Sequence, residues 1–475
     1  MSLAGVAVDE GAEERPTRVH LLVLLLLAAA MANAYMCRGM GAINTTLEKE
    51  LQVNEVGLSP IVTGFAAGYL WMQIPGGWLG SKFGARLVLP IICLGWSICT
   101  LIFASGHSVR ELTWPRLLIG LFQGGLIPCS AKVVADWVPS HKRGMASAIV
   151  TSSMQVGALL GLSLTPFLMT YFSSWRLAYV VYGVLGIAWS VAFALVFRNH
   201  PAEHPWVNRA ERELIAPLNV SPPLTADASG GWRDTALLFA ILFTSSLVLM
   251  NIQAFFRAFG YEFFQSWFPA YLEKARGLTA LNSSLLTMLP LVGVGLGGLV
   301  GGAMVDLIYQ RTGSRWLSRS VVSATTLMIC SGCTLAAAWV TSPSGAVLLI
   351  TLGTFFFGFT GPTTWSALID VSGKHTGVIS GLMNMCGNLG AVTCAWSLGP
   401  LFTYIGQTKG DWNIVLYLFV AVYQIGAVVW LLRPCRVLGS GHLGIEGNTF
   451  SLSTCDGIAK PAATFDLSRP FESSW

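Results

Sequence analysis

Arg38, in the segment AYMCRGMGAIN, is a single cation near the end of an apolar run that begins at Leu21. An arginine in the middle of a membrane span costs about 2.5–3.5 kcal/mol on insertion-derived scales, so such residues usually face a polar cavity and an anion. From a position near a helix end, a guanidinium can instead snorkel to the lipid headgroups. We favour the first interpretation and predict an anion-binding site inside a helical membrane protein.

Other polar side chains in apolar segments are candidates for the same cavity. Tyr35 precedes Arg38 by one helical turn on the same face, where its hydroxyl is suited to hydrogen bonding. Asn384 is an amide in an apolar helix and needs partners, which are either substrate hydroxyls or a neighbouring helix. We favour the substrate for Asn384.

The composition is that of a protein built for lipid. Of its 475 residues, 53% are hydrophobic and 11% are charged, whereas about 25% are charged in soluble proteins. The apolar runs are too long and continuous for the alternating strands of a membrane barrel, and helices are the remaining way to satisfy the backbone in hydrocarbon. The 51 glycines fit close helix packing in a membrane. We therefore predict an all-α integral membrane protein.

Charge and cysteine usage argue against several classes of function. The net charge of +5 fits positively charged cytoplasmic loops, and we expect no nucleic-acid partner. The ten cysteines are scattered, and the spaced pair Cys330 and Cys333 has no second pair or histidine, so neither a metal site nor a cofactor is expected. The sequence has no evident nucleophile–base pair or phosphate loop, which argues against an enzyme.

Twelve apolar segments are each long enough to cross a bilayer core of about 30 Å, and a polar stretch divides them into two groups of six. The seventh span, centred near Phe256–Phe268, is expected to follow an in-plane or cytosolic lead-in. The predicted organisation is a cytoplasmic N-terminal tail (1–18), a six-helix bundle (19–197), a cytoplasmic central loop (198–234), a second six-helix bundle (235–433) and a cytoplasmic C-terminal tail (434–475).

Lysine and arginine are concentrated in alternate loops, and this pattern sets the predicted orientation. The basic loops contain Lys82 and Arg86, then His141, Lys142 and Arg143, then Arg311 and Arg315, and then Lys374. The positive-inside rule places these loops, both termini and the central loop in the cytoplasm. We therefore predict a multi-pass protein of the inner or plasma membrane, and we expect a monomer.

The two halves resemble each other and a known family. GGWLGSKFGARL ends the second span and GGAMVDLIYQRTGSR ends the eighth, and both are glycine-rich and then basic. They resemble the loop between the second and third helices of the major facilitator superfamily and its echo in the second half. That resemblance implies two parallel six-helix halves. The first copy has Ser81 where the family has an acidic residue, whereas the second keeps Asp306, which weakens the expected gate contact of the first half.

Five segments resemble a narrower branch of that superfamily, the anion:cation symporters. They are YMCRGMGAIN, GYLWMQIPGGWL, RLLIGLFQGGLIPCSAKVVADWVPSHKRG, RNHPAEHPWVNRAEREL and WSALIDVSGKHTGVISGLMNMCGNLG. The branch includes vesicular glutamate carriers, sialic-acid carriers, and bacterial hexuronate, galactonate and glucarate permeases. The resemblance covers about residues 20–435. It implies alternating access around one substrate site near the midplane.

The resemblance assigns expected roles to several residues. In the branch an arginine of the first helix binds the substrate carboxylate, and Arg38 matches it; its planar guanidinium offers a bidentate fork that a lysine lacks. Tyr69 matches a tyrosine beside the substrate, with a core or interfacial aromatic as the alternative. The other matches to substrate positions are Gln155, Thr364 and Trp365.

Two departures from the branch concern ion coupling. Its proton-coupled members have an aspartate before the arginine and a glutamate on the fourth helix, where this chain has Cys37 and Gln123. Since an amide cannot titrate and a thiol in apolar surroundings is a poor proton carrier, the usual relay is absent, and Gln123 remains as a hydrogen-bonding group for the substrate. Glu262 is either a replacement coupling carboxylate or the counter-charge of an arginine. Arg257, in the repeat-mate of the first helix, is a candidate second anion contact.

Three ionisable residues near the ends of spans are expected to belong to a gate or a loop salt bridge rather than to the substrate cavity. Asp370 and His375 flank the end of the tenth span, and Asp136 precedes the PSHKRG loop. The predicted function is secondary transport of small organic anions such as sugar acids, coupled to H⁺ or Na⁺. The alternatives are uncoupled or sodium-coupled transport of the same anions, a neutral-sugar carrier, and a transporter-like sensor that binds ligand without moving it.

Overall fold

The computed structural model describes residues 15–40, 43–53, 55–215, 244–278, 280–372, 375–408 and 410–432, and the backbone of 436–437, 449–454 and 463–466. The predicted lead-in to the seventh span, Lys374, and most of the central loop and of both tails lie outside the described residues.

The first half of the chain consists of long apolar helices joined by short polar turns. They are α1 (Val19–Arg38), α2 (Asn44–Leu51), α3 (Glu55–Phe83), α4 (Ala85–Ala104), α5 (Val109–Gly124), α6 (Leu126–Trp137), α7 (Arg143–Phe172), α8 (Trp175–Val196) and α9 (Arg209–Ile215). The turn between α3 and α4 is a single residue, Gly84, whose φ of 79° is a left-handed conformation that favours glycine.

The second half repeats this pattern. Its helices are α10 (Ser245–Glu262), α11 (Phe268–Arg276), α12 (Ala280–Thr312), α13 (Val322–Trp339), α14 (Pro343–Gly358), α15 (Thr360–Ser372), α16 (Thr376–Thr408) and α17 (Asn413–Leu432). Two π-helical turns, Phe263–Trp267 and Trp316–Val321, precede α11 and α13. After α17, the strands β1 (Arg436–Val437), β2 (Thr449–Thr454) and β3 (Ala463–Asp466) form an antiparallel sheet in the order β1-β2-β3.

The number of spans agrees with the sequence. Ten helical segments of the described chain are long and apolar enough to cross a bilayer, with α5–α6 and α14–α15 each counting as one. The 29-residue α3 and the continuous helix from Ser245 to Arg276 bring the total to twelve. The seventh span therefore contains the predicted centre near Phe256–Phe268. The predicted domain bounds at 18, 197, 234 and 433 stay predictions.

Each half encloses its own hydrophobic core. Trp96, Trp137 and Tyr179 are buried in the first cluster, and Phe263 and Phe419 stack in the second with ring centres 4.2 Å apart. Trp71 and Leu195 are 79% and 70% exposed, as expected of side chains that face lipid rather than water.

The two halves meet at the side where α1 begins, which we call the N-terminal face. There α3 and α16 approach so closely that a Cβ on Gly77 would lie 2.1 Å from the carbonyl oxygen of Gly377. A Cβ on Gly381 would similarly lie 2.3 Å from the carbonyl oxygen of Gln73. Only glycine permits such contacts between backbones, so these residues set how tightly the halves close at this face.

Candidate anion-binding site

Arg38 is the last residue of α1, and its guanidinium lies among three aromatic rings. Its central carbon is 4.2 Å from the ring centre of Tyr35, 4.5 Å from that of Tyr69 and 5.2 Å from that of Phe65. The negative faces of these rings stabilise the cation without neutralising it. The position at the C-terminal end of α1 favours the positive charge further through the helix dipole.

Gln123 of α5 fixes the orientation of this guanidinium. The Arg38 Nε donates to the Gln123 Oε1 at 2.9 Å, and the Gln123 Nε2 donates to the Ala34 carbonyl at 3.2 Å. Both ends of the amide are therefore bound to α1. The Arg38 Nη2 is buried and has no hydrogen-bond partner among the described residues. This nitrogen of the guanidinium can therefore donate a hydrogen bond to an anion.

Two residues that the sequence analysis did not single out hold the end of α1. The Arg116 guanidinium donates to the Cys37 carbonyl at 3.0 Å and to the Arg38 carbonyl at 3.1 Å. The Tyr179 hydroxyl donates to the Gly39 carbonyl at 2.6 Å. These hydrogen bonds satisfy backbone carbonyls that have no partner within the helix, and they fix the position of the backbone from which the Arg38 side chain extends. The ionisable Arg116 inside an apolar run was a signal that could have been used.

Tyr69 and Asn384 come together from opposite halves. The Asn384 Nδ2 donates to the Tyr69 hydroxyl at 3.2 Å and to the Gln73 Oε1 at 2.7 Å. The Gln73 Nε2 is buried without a hydrogen-bond partner in the described chain. Asn384 thus contacts a neighbouring helix, which is the second of the two partners that the sequence analysis considered for its amide. The amide donor without a partner belongs to Gln73.

Gln155 of α7 and Tyr261 of α10 form a second link between the halves. The Tyr261 hydroxyl lies 2.7 Å from the Gln155 Nε2 and 3.0 Å from its Oε1. Arg257, one turn before Tyr261, interacts electrostatically with both Tyr261 and Tyr35, and its buried Nε has no hydrogen-bond partner among the described residues. Glu262 is half-buried at the end of α10 and interacts with Tyr261. Tyr35 is therefore near both Arg38 and Arg257.

Thr364 and Trp365 lie on α15, and both are buried. The Thr364 hydroxyl donates to the Gln253 Oε1 of α10 at 3.5 Å, and the Gln253 Nε2 is a further buried donor without a partner in the described residues. Trp365 packs in the hydrophobic cluster of the first half, although its helix belongs to the second. Gln253 and Arg257 are four residues apart and share a face of α10.

Asp370 binds arginines from both halves at the N-terminal face. Its Oδ1 is 3.3 Å from Nη1 of Arg143 on α7, and its Oδ2 is 3.3 Å from Nε of Arg319 in the second π-helical turn. All three side chains are at least nine-tenths buried. Since removing one partner of a buried ion pair leaves a charge uncompensated, this network favours the closed state of the face.

Asp306 provides a second closure between the halves. Its Oδ1 and Oδ2 accept hydrogen bonds from the backbone N–H groups of Gly144 and Met145 at 2.8 Å and 2.7 Å. A carboxylate of the second half thus caps the N-terminus of α7 in the first. In the first copy of the repeat, the Ser81 hydroxyl donates to the Gly77 carbonyl of its own helix at 2.9 Å. Asp136, by contrast, pairs with Lys132 of its own helix at 2.8 Å.

Glu211 of α9 attaches the chain after the sixth span to the start of α1. Its carboxylate accepts hydrogen bonds from the backbone N–H groups of Val19 and His20, from the Thr17 hydroxyl and from the His20 ring. Burial raises the pKa of Glu211, but the hydrogen bonds from His20, Thr17 and Val19 outweigh it, and the pKa is lowered from its usual value. Glu211 is therefore the N-terminal cap of the helix that carries Arg38.

Known proteins are similar to almost the whole chain. The sequence model of the Major Facilitator Superfamily matches residues 23–395. The probable sulfoacetate transporter SauU of Cupriavidus necator is 29% identical over 429 residues, which cover 87% of this chain and 95% of the relative. The D-galactonate transporter of Escherichia coli is 28% identical (88% and 96% covered), and the hexuronate transporter of Bacillus subtilis is 26% identical (87% and 94% covered).

A solved structure confirms the predicted fold. The crystal structure of the transporter FucP in its outward conformation aligns with a TM-score of 0.68 and covers 88% of this chain and 99% of its own. The sequence identity in that alignment is 15%. The all-helical fold of the superfamily is thereby established for this chain.

Proposed function

This chain belongs to the Major Facilitator Superfamily, and on that premise we propose that it moves small organic anions across a membrane by alternating access. It is a multi-pass membrane transporter and not an enzyme, as the sequence predicts. The names of these relatives include sulfoacetate, galactonate and hexuronate, and all three are small organic acids.

The observation that carries the proposal is a set of unused donors on helices of both halves. The buried nitrogens without a hydrogen-bond partner among the described residues include Arg38 Nη2, Gln73 Nε2, Gln253 Nε2 and Arg257 Nε. Two of them belong to cations, and all four are donors. Since leaving buried donors unpaired costs about 1–3 kcal/mol each, they favour a ligand rich in acceptors, such as a hydroxylated carboxylate.

We assign the carboxylate of the substrate to Arg38, whose position is held by Gln123 and by the aromatic rings of Tyr35 and Tyr69. Arg257 is proposed as the second anion contact, because its buried Nε has no hydrogen-bond partner among the described residues. Asn384, Gln155, Thr364 and Trp365 are proposed to contact substrate hydroxyls and carbons, in addition to the protein partners that Asn384 and Gln155 have in this structure.

Sugar acids and related carboxylates are the proposed substrate class. Hydroxyl groups along such a molecule can accept from Gln73 and Gln253 while its carboxylate occupies Arg38. A neutral sugar has no group of comparable strength for the guanidinium, so its binding leaves the charge of Arg38 uncompensated.

We propose cation-coupled symport, with Glu262 as the coupling carboxylate. Gln123 cannot exchange a proton and is bound to α1 at both ends of its amide. Glu262 is half-buried beside Tyr261, whose hydroxyl contacts Gln155 of the other half. Protonation or cation binding at Glu262 can therefore alter a contact between the halves.

The proposed gate at the N-terminal face consists of Asp370, Arg143 and Arg319, together with Asp306. The proposed orientation places this face and both termini in the cytoplasm of an inner or plasma membrane, because the basic loops lie there. The proposed transport unit is a monomer.

Uptake of radiolabelled galactonate or a hexuronate into proteoliposomes tests the proposal. We expect accumulation when a pH gradient or a sodium gradient is imposed. The control variant is Glu262→Gln, which should abolish gradient-driven accumulation and leave counterflow exchange of the labelled anion. Equilibration without accumulation in the wild type identifies an uncoupled facilitator, and saturable binding without any flux identifies a sensor.

A further inference from the structure

An apolar groove lies on the lipid-facing side of the second half and shares no residue with the candidate anion site. Its volume is about 350 Å³, near the lower end of the range of ligand pockets, about 300–1,000 Å³. It lies between α12, the π-helical turn Trp316–Val321, α13 and the end of α14, and its walls include Met304, Ile308, Leu317, Ile329, Phe356 and Phe359.

The groove is apolar although three threonines line it. The hydroxyls of Thr312, Thr325 and Thr326 each donate to the carbonyl four residues earlier in the same helical segment, at 2.6–2.9 Å. Their hydrogen-bonding capacity is therefore directed to their own backbone. A polar ligand finds little to bind here, whereas a hydrocarbon chain loses nothing by entering.

The rim of the groove faces the bilayer. Met304, Leu317 and Ile329 are 40%, 39% and 39% exposed, and each belongs to a segment that crosses the membrane. In this surrounding the molecules available to fill an apolar groove are lipid acyl chains. In a cleft between helices, one acyl chain contacts the protein on several sides, whereas on a flat helix surface it contacts the protein on one side only.

Two cations lie at the end of the groove nearest the N-terminal face. Arg311 is exposed and sits in the last turn of α12, three residues after Ile308 and therefore on the side of the helix that lines the groove. Arg315 directly precedes the π-helical turn. Cations at the membrane surface attract anionic headgroups, with about 1 kcal/mol for each basic residue near the surface as the general magnitude.

We propose that this groove binds one acyl chain of an anionic glycerophospholipid, with the lipid phosphate at Arg311. The groove residues alternate with those that close the N-terminal face: Asp306 lies between Met304 and Ile308, and Arg319 lies between Leu317 and Val321. A bound lipid therefore contacts both α12 and the π-helical turn Trp316–Val321, and it stabilises the conformation that is closed at the N-terminal face, because it binds that conformation preferentially.

Photo-crosslinking of the full chain in nanodiscs tests the acyl-chain site. The probe is phosphatidylglycerol with a diazirine in its acyl chain, and we expect labelled peptides within residues 304–329. Ile329→Trp fills the groove and should lower this labelling at least fivefold. The matched control is Met328→Trp, because Met328 is equally exposed at 40% but does not line the groove. Ile329→Phe is the second variant if the tryptophan variant unfolds.

The headgroup is tested by comparing phosphatidylglycerol with phosphatidylcholine that carries the same diazirine chain. Arg311→Gln should remove the preference for phosphatidylglycerol, whereas Arg86→Gln, an exposed cation of the first half at the same face, should keep it. If the labelling yield in Ile329→Trp and in Ile329→Phe equals that of the wild type, the groove is not the site of the acyl chain. Equal labelling by both lipids in the wild type overturns the anionic headgroup.

Discussion

The Arg38 Nε donates to the Gln123 Oε1 at 2.9 Å, so an amide occupies the position beside the cation where a carboxylate would form an ion pair. A carboxylate there would neutralise Arg38, whereas the amide orients the guanidinium and leaves its charge unbalanced. The charge is then available to a substrate anion. This relationship supports the proposed binding of an anion at Arg38.

Arg38→Lys is expected to impair anion uptake severely. Lysine keeps the charge but loses the planar fork, and hydrogen bonds to charged groups contribute about 1.5–3 kcal/mol, so the half-saturating substrate concentration should rise by about 10–150-fold. The measurement is uptake of labelled galactonate or hexuronate into proteoliposomes. Arg110→Lys, at an exposed position of α5, is the control and should transport normally. If Arg38→Lys takes up the labelled anion as well as the wild type does, Arg38 does not bind the substrate carboxylate.

Gln123→Glu is expected to make uptake sensitive to pH. At neutral pH the new carboxylate pairs with Arg38 and competes with the substrate, which should reduce uptake by about tenfold or more. As the pH falls, protonation of the carboxylate releases Arg38, and uptake should recover. Gln123→Met, which lacks both a charge and the amide, should reduce uptake without this recovery. A pH-independent Gln123→Glu variant would contradict the arrangement.

Asp370→Asn is expected to destabilise the closed N-terminal face. The change leaves Arg143 and Arg319 buried without their shared carboxylate, and breaking a buried ion pair generally costs about 3–5 kcal/mol. Hydrogen–deuterium exchange should therefore rise in the peptide that contains Gly144 and Met145, whose N–H groups are protected at this face. Asp136→Asn is the control, since its pair with Lys132 lies within one helix. Equal exchange in both variants would show that Asp370 does not hold the face closed.

Glu211→Gln is expected to lower stability in a pH-dependent manner. Because the pKa of Glu211 is lowered in the folded protein, its stabilising effect is complete above the usual value of about 4.3 and is lost as the pH falls through the lower, folded value. The melting temperature of the variant should be below that of the wild type at pH 6–7, and the two should converge in more acidic buffers.

Glu213→Gln is the matched control for that experiment. Glu213 lies two residues away in the same helix, and its pair with Arg209 is exposed to solvent, so its removal should change the melting temperature little. A gap between Glu211→Gln and the wild type that stays constant down to pH 3 would contradict the role of the carboxylate charge.

The sequence by itself determined the membrane location, the twelve spans and the position of Arg38 as a cation in an apolar helix. These follow from hydrophobicity and charge along the chain, which are local properties that folding does not change. The resemblance of short motifs to a family then determined the fold, and the comparison with FucP confirms it.

Only the tertiary structure decided which polar groups pair and which remain unused. Asp370 meets Arg143 from 227 residues away and Arg319 from 51, and neither pairing has a signal in sequence spacing. Arg116, Gln73 and Gln253 were not anticipated, because an amide or a guanidinium in an apolar run shows that partners are needed but not which ones. The rotation and close approach of helices select those partners, and both depend on packing across the whole molecule.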